Sequence, residues 1–186
     1  MHIRDKTMRK LLASIRARRF TLRPFVVQIA AVVYFATAIN AGGTDVPTIF
    51  LPPDFRDWKL ISVAHEAGAL NDIRAILGND AAVAAYRSGA QTFPDGAMVV
   101  RVAWAYTSSE ENNRTFGREQ SFVAGEPTNI QLMIKDAEKF KTTGGWGYAQ
   151  FADVKTPNSV KDPGNQCFHC HQAVQGRDYL FTHYAR

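Results

Sequence analysis

The stretch FPDGAMVVRVAWAY, residues 93–106, places a tight turn directly before a long run of β-branched and aromatic residues. Pro94, Asp95 and Gly96 carry the fixed φ, the short polar side chain and the permissive backbone that a turn uses. From Ala97 to Tyr106 the side chains suit a pleated, half-buried surface, so 97–106 is predicted to be a long strand. Such a strand needs neighbours, and the flanking sequence offers them. WKLISVAHE (58–66) contains alternating apolar positions and reads as a strand. LNDIRAIL (70–77) is ambiguous, but Gly68 and Gly78 on either side tilt it towards a second strand. NDAAVAAYRSG (79–89) reads as a helix that Asn79 or Asp80 caps, alanines favour and Gly89 ends. Downstream, TSSEENNRTFGREQ (107–120) is polar and is expected to be a loop. NIQLMIKD (129–136) alternates as a strand, and AEKFKTT is a short helix or turn. GGWGYAQF (144–151) reads as another strand, whose glycines imply a close backbone approach or a bulge. A Pro/Gly/Asn loop then leads to a terminal helix. Several strands with one middle and one terminal helix predict an α+β domain on an antiparallel sheet.

The chain of 186 residues carries a formal charge of +5, but that charge is unevenly spread. Residues 1–41 hold eight Lys/Arg and one acid, which leaves 14 basic and 16 acidic residues in 42–186. The body is therefore near neutral, and no nucleic-acid surface is expected. In the leader a basic segment to Arg23 precedes the apolar FVVQIAAVVYFATAI (25–39) and then Ala36, Ala38, Ala41, Gly42 and Gly43. Basic, apolar, then small is the order of a secretory signal peptide. The apolar run is short of the roughly 20 residues that span a bilayer. Residues 1–41 are expected to be a signal peptide or, if uncut, an N-terminal anchor. Residues 42–57 form a Pro-rich lead-in that wraps the surface, and 58–186 a single domain exported to the periplasm.

Both cysteines of the chain stand in CFHCH (167–171), close to the C-terminus. A dithiol redox pair fits poorly, because such pairs open a helix after a strand in a thioredoxin-like unit. A zinc site would need Cys167, Cys170 and two of His169, His171 and His183, which crowd a tetrahedron. Covalent haem c fits best. Two thiols one helical turn apart add to two vinyl groups, and the histidine after the second binds the iron. One haem c on Cys167, Cys170 and His171 is the expected cofactor. The fifteen residues after His171 contain no methionine, and Met98 and Met133 fall in predicted strands as core. The sixth iron position is then open to a small ligand.

Four segments carry a resemblance to a known family: FPDGA entering a long strand, MIKDAEKFKTTGGWGYAQF, CFHCH, and DYLFTHY after it. With LGNDAAVAAY they cover roughly residues 55–186 and resemble the cytochrome P-460 family and its relatives, the β-sheet cytochromes c-prime. The resemblance implies an antiparallel-sheet fold, a homodimer and one covalent haem, with thioethers at Cys167 and Cys170 and His171 as proximal ligand. In the enzyme branch a lysine is cross-linked to the haem and hydroxylamine is oxidised. In the c-prime branch the link is absent and an apolar pocket binds gases such as nitric oxide. The strand after FPDG holds Arg101 and no lysine, which favours a haem protein without the cross-link. Lys59, Lys135, Lys139, Lys141, Lys155 and Lys161 read as solvated surface.

The expected function is that of a periplasmic monohaem cytochrome that binds a small ligand or nitrogen-oxide substrate, or passes electrons to a redox partner protein. Hydroxylamine oxidation or peroxide reduction is the enzymatic alternative, and a haem-free zinc or dithiol protein the alternative of another class. Arg101, Trp104 and Trp146 are the distal-pocket candidates, with Tyr148 and Phe93 as further wall residues. Aromatic side chains supply large area at low entropy cost, and a guanidinium suits a carboxylate or a bound ligand. His65 and His183 read as ordinary surface or core histidines, His169 as facing away from the iron, and Asp178 and Glu126 as surface acids.

Overall fold

The computed structural model describes residues 47–186. The chain divides into Met1–Ala41 and Gly42–Arg186, and the described residues belong to the second unit. The expected signal peptide and the start of the Pro-rich lead-in lie outside them. Among the described residues no helix is long and apolar enough to cross a membrane.

Five strands form one antiparallel meander in chain order: β1 (Lys59–Glu66), β2 (Asp72–Gly78), β3 (Met98–Ser108), β4 (Phe122–Lys135) and β5 (Trp146–Phe151). The ambiguous 70–77 segment is thus a strand, and the domain is α+β as expected. Helix α1 (Asp80–Ser88) fills the β2–β3 connection. The Asn79 side chain caps it by accepting from the Ala82 N–H, and Gly89 ends it in the left-handed conformation. The C-terminal helical segment runs through Gly164–Phe168, α3 (His169–His171) and Gln172–Arg177, changing pitch twice.

Period-2 alternation sends the strand side chains to two different cores. On one face Ile61, Ile76, Val99, Trp146 and Tyr148 pack with α1, Phe93 and Leu180. On the other, Val100, Val102, Ile130, Leu132, Ala149 and Phe151 pack with Ile49, Phe55 and Phe140. The lead-in therefore does more than wrap the surface, because its Ile49 and Phe55 close the second core. Gly147 allows the Phe140 ring to lie against the backbone; a Cβ there would stand 2.4 Å from it.

Two expectations are corrected. The polar 107–120 segment is not a loop throughout: α2 covers Glu110–Phe116. It has no buried residue, so no apolar periodicity marks it, and local chemistry holds it. Ser109 caps its N-terminus, Glu110 and Glu111 occupy the first turn, and Gly117 ends it. Strand β4 also begins earlier than 129, because Phe122, Val123 and Ala124 pair with Ser108, Thr107 and Tyr106 beyond an irregularity beside Pro127. A proline costs a ladder bond, and the irregularity absorbs it.

Candidate haem site

The first of the two faces carries a cavity of about 720 Å³. Its floor follows from strand alternation: Ser62, Ala64 and Glu66 of β1, Arg74 and Ile76 of β2, then Val99 and Arg101 of β3. Gln131 and Met133 of β4 and Tyr148 and Gln150 of β5 continue it. Cross-strand pairing puts these in rows, with Arg101 beside Ile76 and Gln131, and Met133 beside Val99 and Tyr148. The opposite wall is the C-terminal segment, which contributes Cys167, Cys170, His171, Phe181 and His183 among others. Cys167, Cys170 and His171 share a wall because helical spacing of three and four residues keeps them on one side. His169, between them, is exposed and outside the lining, as helical spacing predicts.

His171 is half-buried, and its geometry defines its chemistry. Its Nδ1 lies 2.6 Å from the Tyr179 carbonyl oxygen. A carbonyl only accepts, so Nδ1 carries the proton and Nε2 keeps the lone pair a metal needs. Burial lowers the pKa of the imidazole, which also favours the neutral ligand form. The ring is wedged between Tyr148 and Phe181, each with its centroid at 5.1 Å. Burial pushes the Cys167 thiol up. A reactive dithiol needs the opposite shift, so the site disfavours redox exchange. Among the described residues no group of three or more His, Cys, Asp or Glu is arranged to hold a metal ion.

Across the cavity lies a charged group. Arg101 donates to Asn129 at 2.5 Å and to Asp72, and Arg74 donates to the same Asp72 carboxylate at 2.6 and 2.8 Å. Asp72 is 2% exposed, so two guanidinium groups compensate one buried carboxylate. Burial lowers the pKa of Arg101, though a guanidinium stays charged in proteins. Its Nε–H is buried without a partner, and so is the Tyr148 hydroxyl. An unpartnered buried donor is expensive. Both belong to cavity-lining side chains, where an acceptor-bearing guest would complete the wall; the Tyr86 hydroxyl and the Trp146 indole N–H are likewise buried without partners, outside this lining.

Two of the aromatic candidates stand elsewhere. Trp104 packs against the second core, because alternation in β3 turns it to the face opposite Arg101. Trp146 is fully buried beneath the site, against Phe93 at 5.9 Å, and neither lines the cavity. Tyr148 does. His65 stacks on Tyr106 at 3.8 Å, outside the lining. His183 lines the rim, where its Nε2 meets Arg177 Nη1. Met133, read as core, also lines the cavity.

Two further readings are overturned. Lys135 is no surface lysine and Asp178 no surface acid: they are 5% and 7% exposed and form an ion pair at 2.7 Å. Alternation held a usable signal, since Gln131, Met133 and Lys135 share one face of β4. The partner could not be read, because it arrives from 43 residues away.

The chemistry of the wall fits a haem: two thiols and a neutral imidazole on one side, aliphatic and aromatic surface below, and guanidinium groups opposite. No curated protein matches the chain. A family model described as cytochrome P-460 matches residues 52–182, which span all five strands and the CFHCH segment. That family implies a haem cofactor. The chain belongs to the cytochrome P-460 family.

Proposed function

We propose that the protein is a periplasmic c-type cytochrome that carries one covalent haem without a lysine cross-link and exchanges a small ligand, nitric oxide being the model. When bound, haem supplies an iron that can hold a small ligand and change oxidation state. Cys167 and Cys170 would hold it through thioethers, and His171 Nε2 would be its protein ligand. Tyr148 and Phe181 keep the imidazole from turning. Ile76, Val99 and Met133 exclude water from the floor, while Arg101 and Arg74 attract a carboxylate or a polar ligand at the far wall.

The observation that carries the reading is the cavity lining, which holds the whole CxxCH donor set and no lysine among the described residues. The residues of β3 that line the cavity are Val99 and Arg101, and Lys135 is engaged by Asp178. The leader of residues 1–41 supports export.

Optical spectra of the protein matured with haem, oxidised and then reduced, with and without carbon monoxide, test this. A c-type Soret band that shifts with carbon monoxide is expected, and Cys167→Ala should retain one thioether at most. A reduced band far to the red would mean a cross-linked macrocycle and favour hydroxylamine oxidation. A band indifferent to carbon monoxide would place a protein group, such as the Met133 thioether, on the sixth position. No Soret band would remove the haem reading altogether.

A further inference from the structure

His171 leans on a carbonyl, and that carbonyl belongs to an unusual turn. Asp178 and Tyr179 both have positive φ, 48° and 66°. Residues with side chains rarely adopt this region, and two in succession need an external hold. The hold is the Asp178 carboxylate. Its Oδ1 accepts from Lys135 Nζ at 2.7 Å and its Oδ2 from the Phe93 N–H at 2.8 Å. Lys135 Nζ reaches further, donating to the Gly144 carbonyl at 3.3 Å and lying 5.0 Å over the Trp146 ring. Gly144 in turn backs Tyr179 so closely that a Cβ would stand 2.3 Å from its ring. One buried ammonium therefore ties both sides of the turn to β4.

We propose that the Lys135–Asp178 pair positions the proximal ligand: it pins the 178–179 turn so that the Tyr179 carbonyl accepts the hydrogen bond from His171 Nδ1–H, and thereby sets the donor strength of Nε2. The proposal rests on His171 being the haem ligand. A firm acceptor at Nδ1 makes the imidazole more electron-rich and favours ferric over ferrous iron. Packing alone does not require an ion pair here, since apolar residues of similar volume fill buried space at lower cost. The pair's bonds go to the turn that carries the acceptor. Neither residue touches the cavity, so both are positioning residues.

The test uses the haem-loaded protein, reading the ferrous iron–histidine stretch by resonance Raman and the reduction potential. Asp178→Asn keeps an acceptor for Phe93 and removes the charge. The stretch should fall in frequency, and the ferric preference should drop by roughly tenfold, which raises a one-electron potential by about 59 mV. Should Asp178→Asn fail to fold with Lys135 unpaired, the neutral pair Lys135→Met with Asp178→Asn carries the same expectation. Wild-type stretch and potential in the variant that folds would overturn the proposal. His171→Gly separates the two layers. A stretch that survives it overturns the ligand assignment and the proposal together. A stretch lost there but unmoved in the Asp178 variants overturns the proposal alone.

Discussion

Alanine at Gly144 should cost far more than alanine at Gly89, although both glycines have φ of 69°. The shared penalty is the left-handed backbone, about 1–2 kcal/mol for a residue with a Cβ. At Gly89 nothing lies within 4 Å of an added Cβ, so that penalty is the whole effect. At Gly144 the Cβ would meet three carbons of the Tyr179 ring at 2.3, 2.5 and 2.9 Å. The ring has little room to retreat. It packs on Phe168 at 5.3 Å, and the carbonyl of the same residue is bonded to His171. Overpacking of this kind adds about 1–3 kcal/mol, for a total of about 2–5 kcal/mol. In a chain of this size each kcal/mol lowers the midpoint by about 2–4 °C. Matched thermal unfolding should therefore show a fall of roughly 2–8 °C for Gly89→Ala and roughly 4–20 °C for Gly144→Ala. Equal losses would refute the reasoning, because they would mean that Tyr179 and its turn yield freely to the new methyl group.

Asn79→Ala should destabilise by roughly 2–4 kcal/mol in urea unfolding with an unchanged slope. Its one amide caps α1 at Ala82 N (3.1 Å), accepts from Met98 N (3.0 Å) and donates to Gly96 O (2.8 Å). Asn79→Ser keeps only the cap and should recover part of the loss; full recovery would show that the two bonds to the turn and β3 contribute nothing. Burial pushes the Tyr86 and Tyr148 phenols well above their ordinary value of 10.0. The folded state thus holds these protons longer than the unfolded chain. Stability is complete below about pH 10 and is lost above it, by up to about 1.4 kcal/mol per pH unit for each phenol. Phenolate absorbance should show both ionising only as the protein unfolds, and ionisation in step with a denatured control would contradict their burial.

The elements that local chemistry dictates were legible in the residues. Pro94-Asp95-Gly96 announces its turn, the β-branched run after it announces β3, and Asn79 and Gly89 bracket α1. Cys167, Cys170 and His171 point to a haem by order and spacing, because the attachment they would make depends on local chemistry. Helix α2 escaped notice because a helix with no buried face leaves no periodic trace, only caps. Long-range pairing decided the rest. Trp104 is as aromatic as Tyr148, yet strand register turns one to the second core and the other into the cavity. Lys135 reads as any solvated lysine until Asp178 reaches it across the fold, and Asp178 reads as any surface acid until Lys135 and Phe93 bury it. A side chain's type is written in the sequence. Its partner is set by which strands pair and where the chain end returns, and burial and charge compensation follow from the partner.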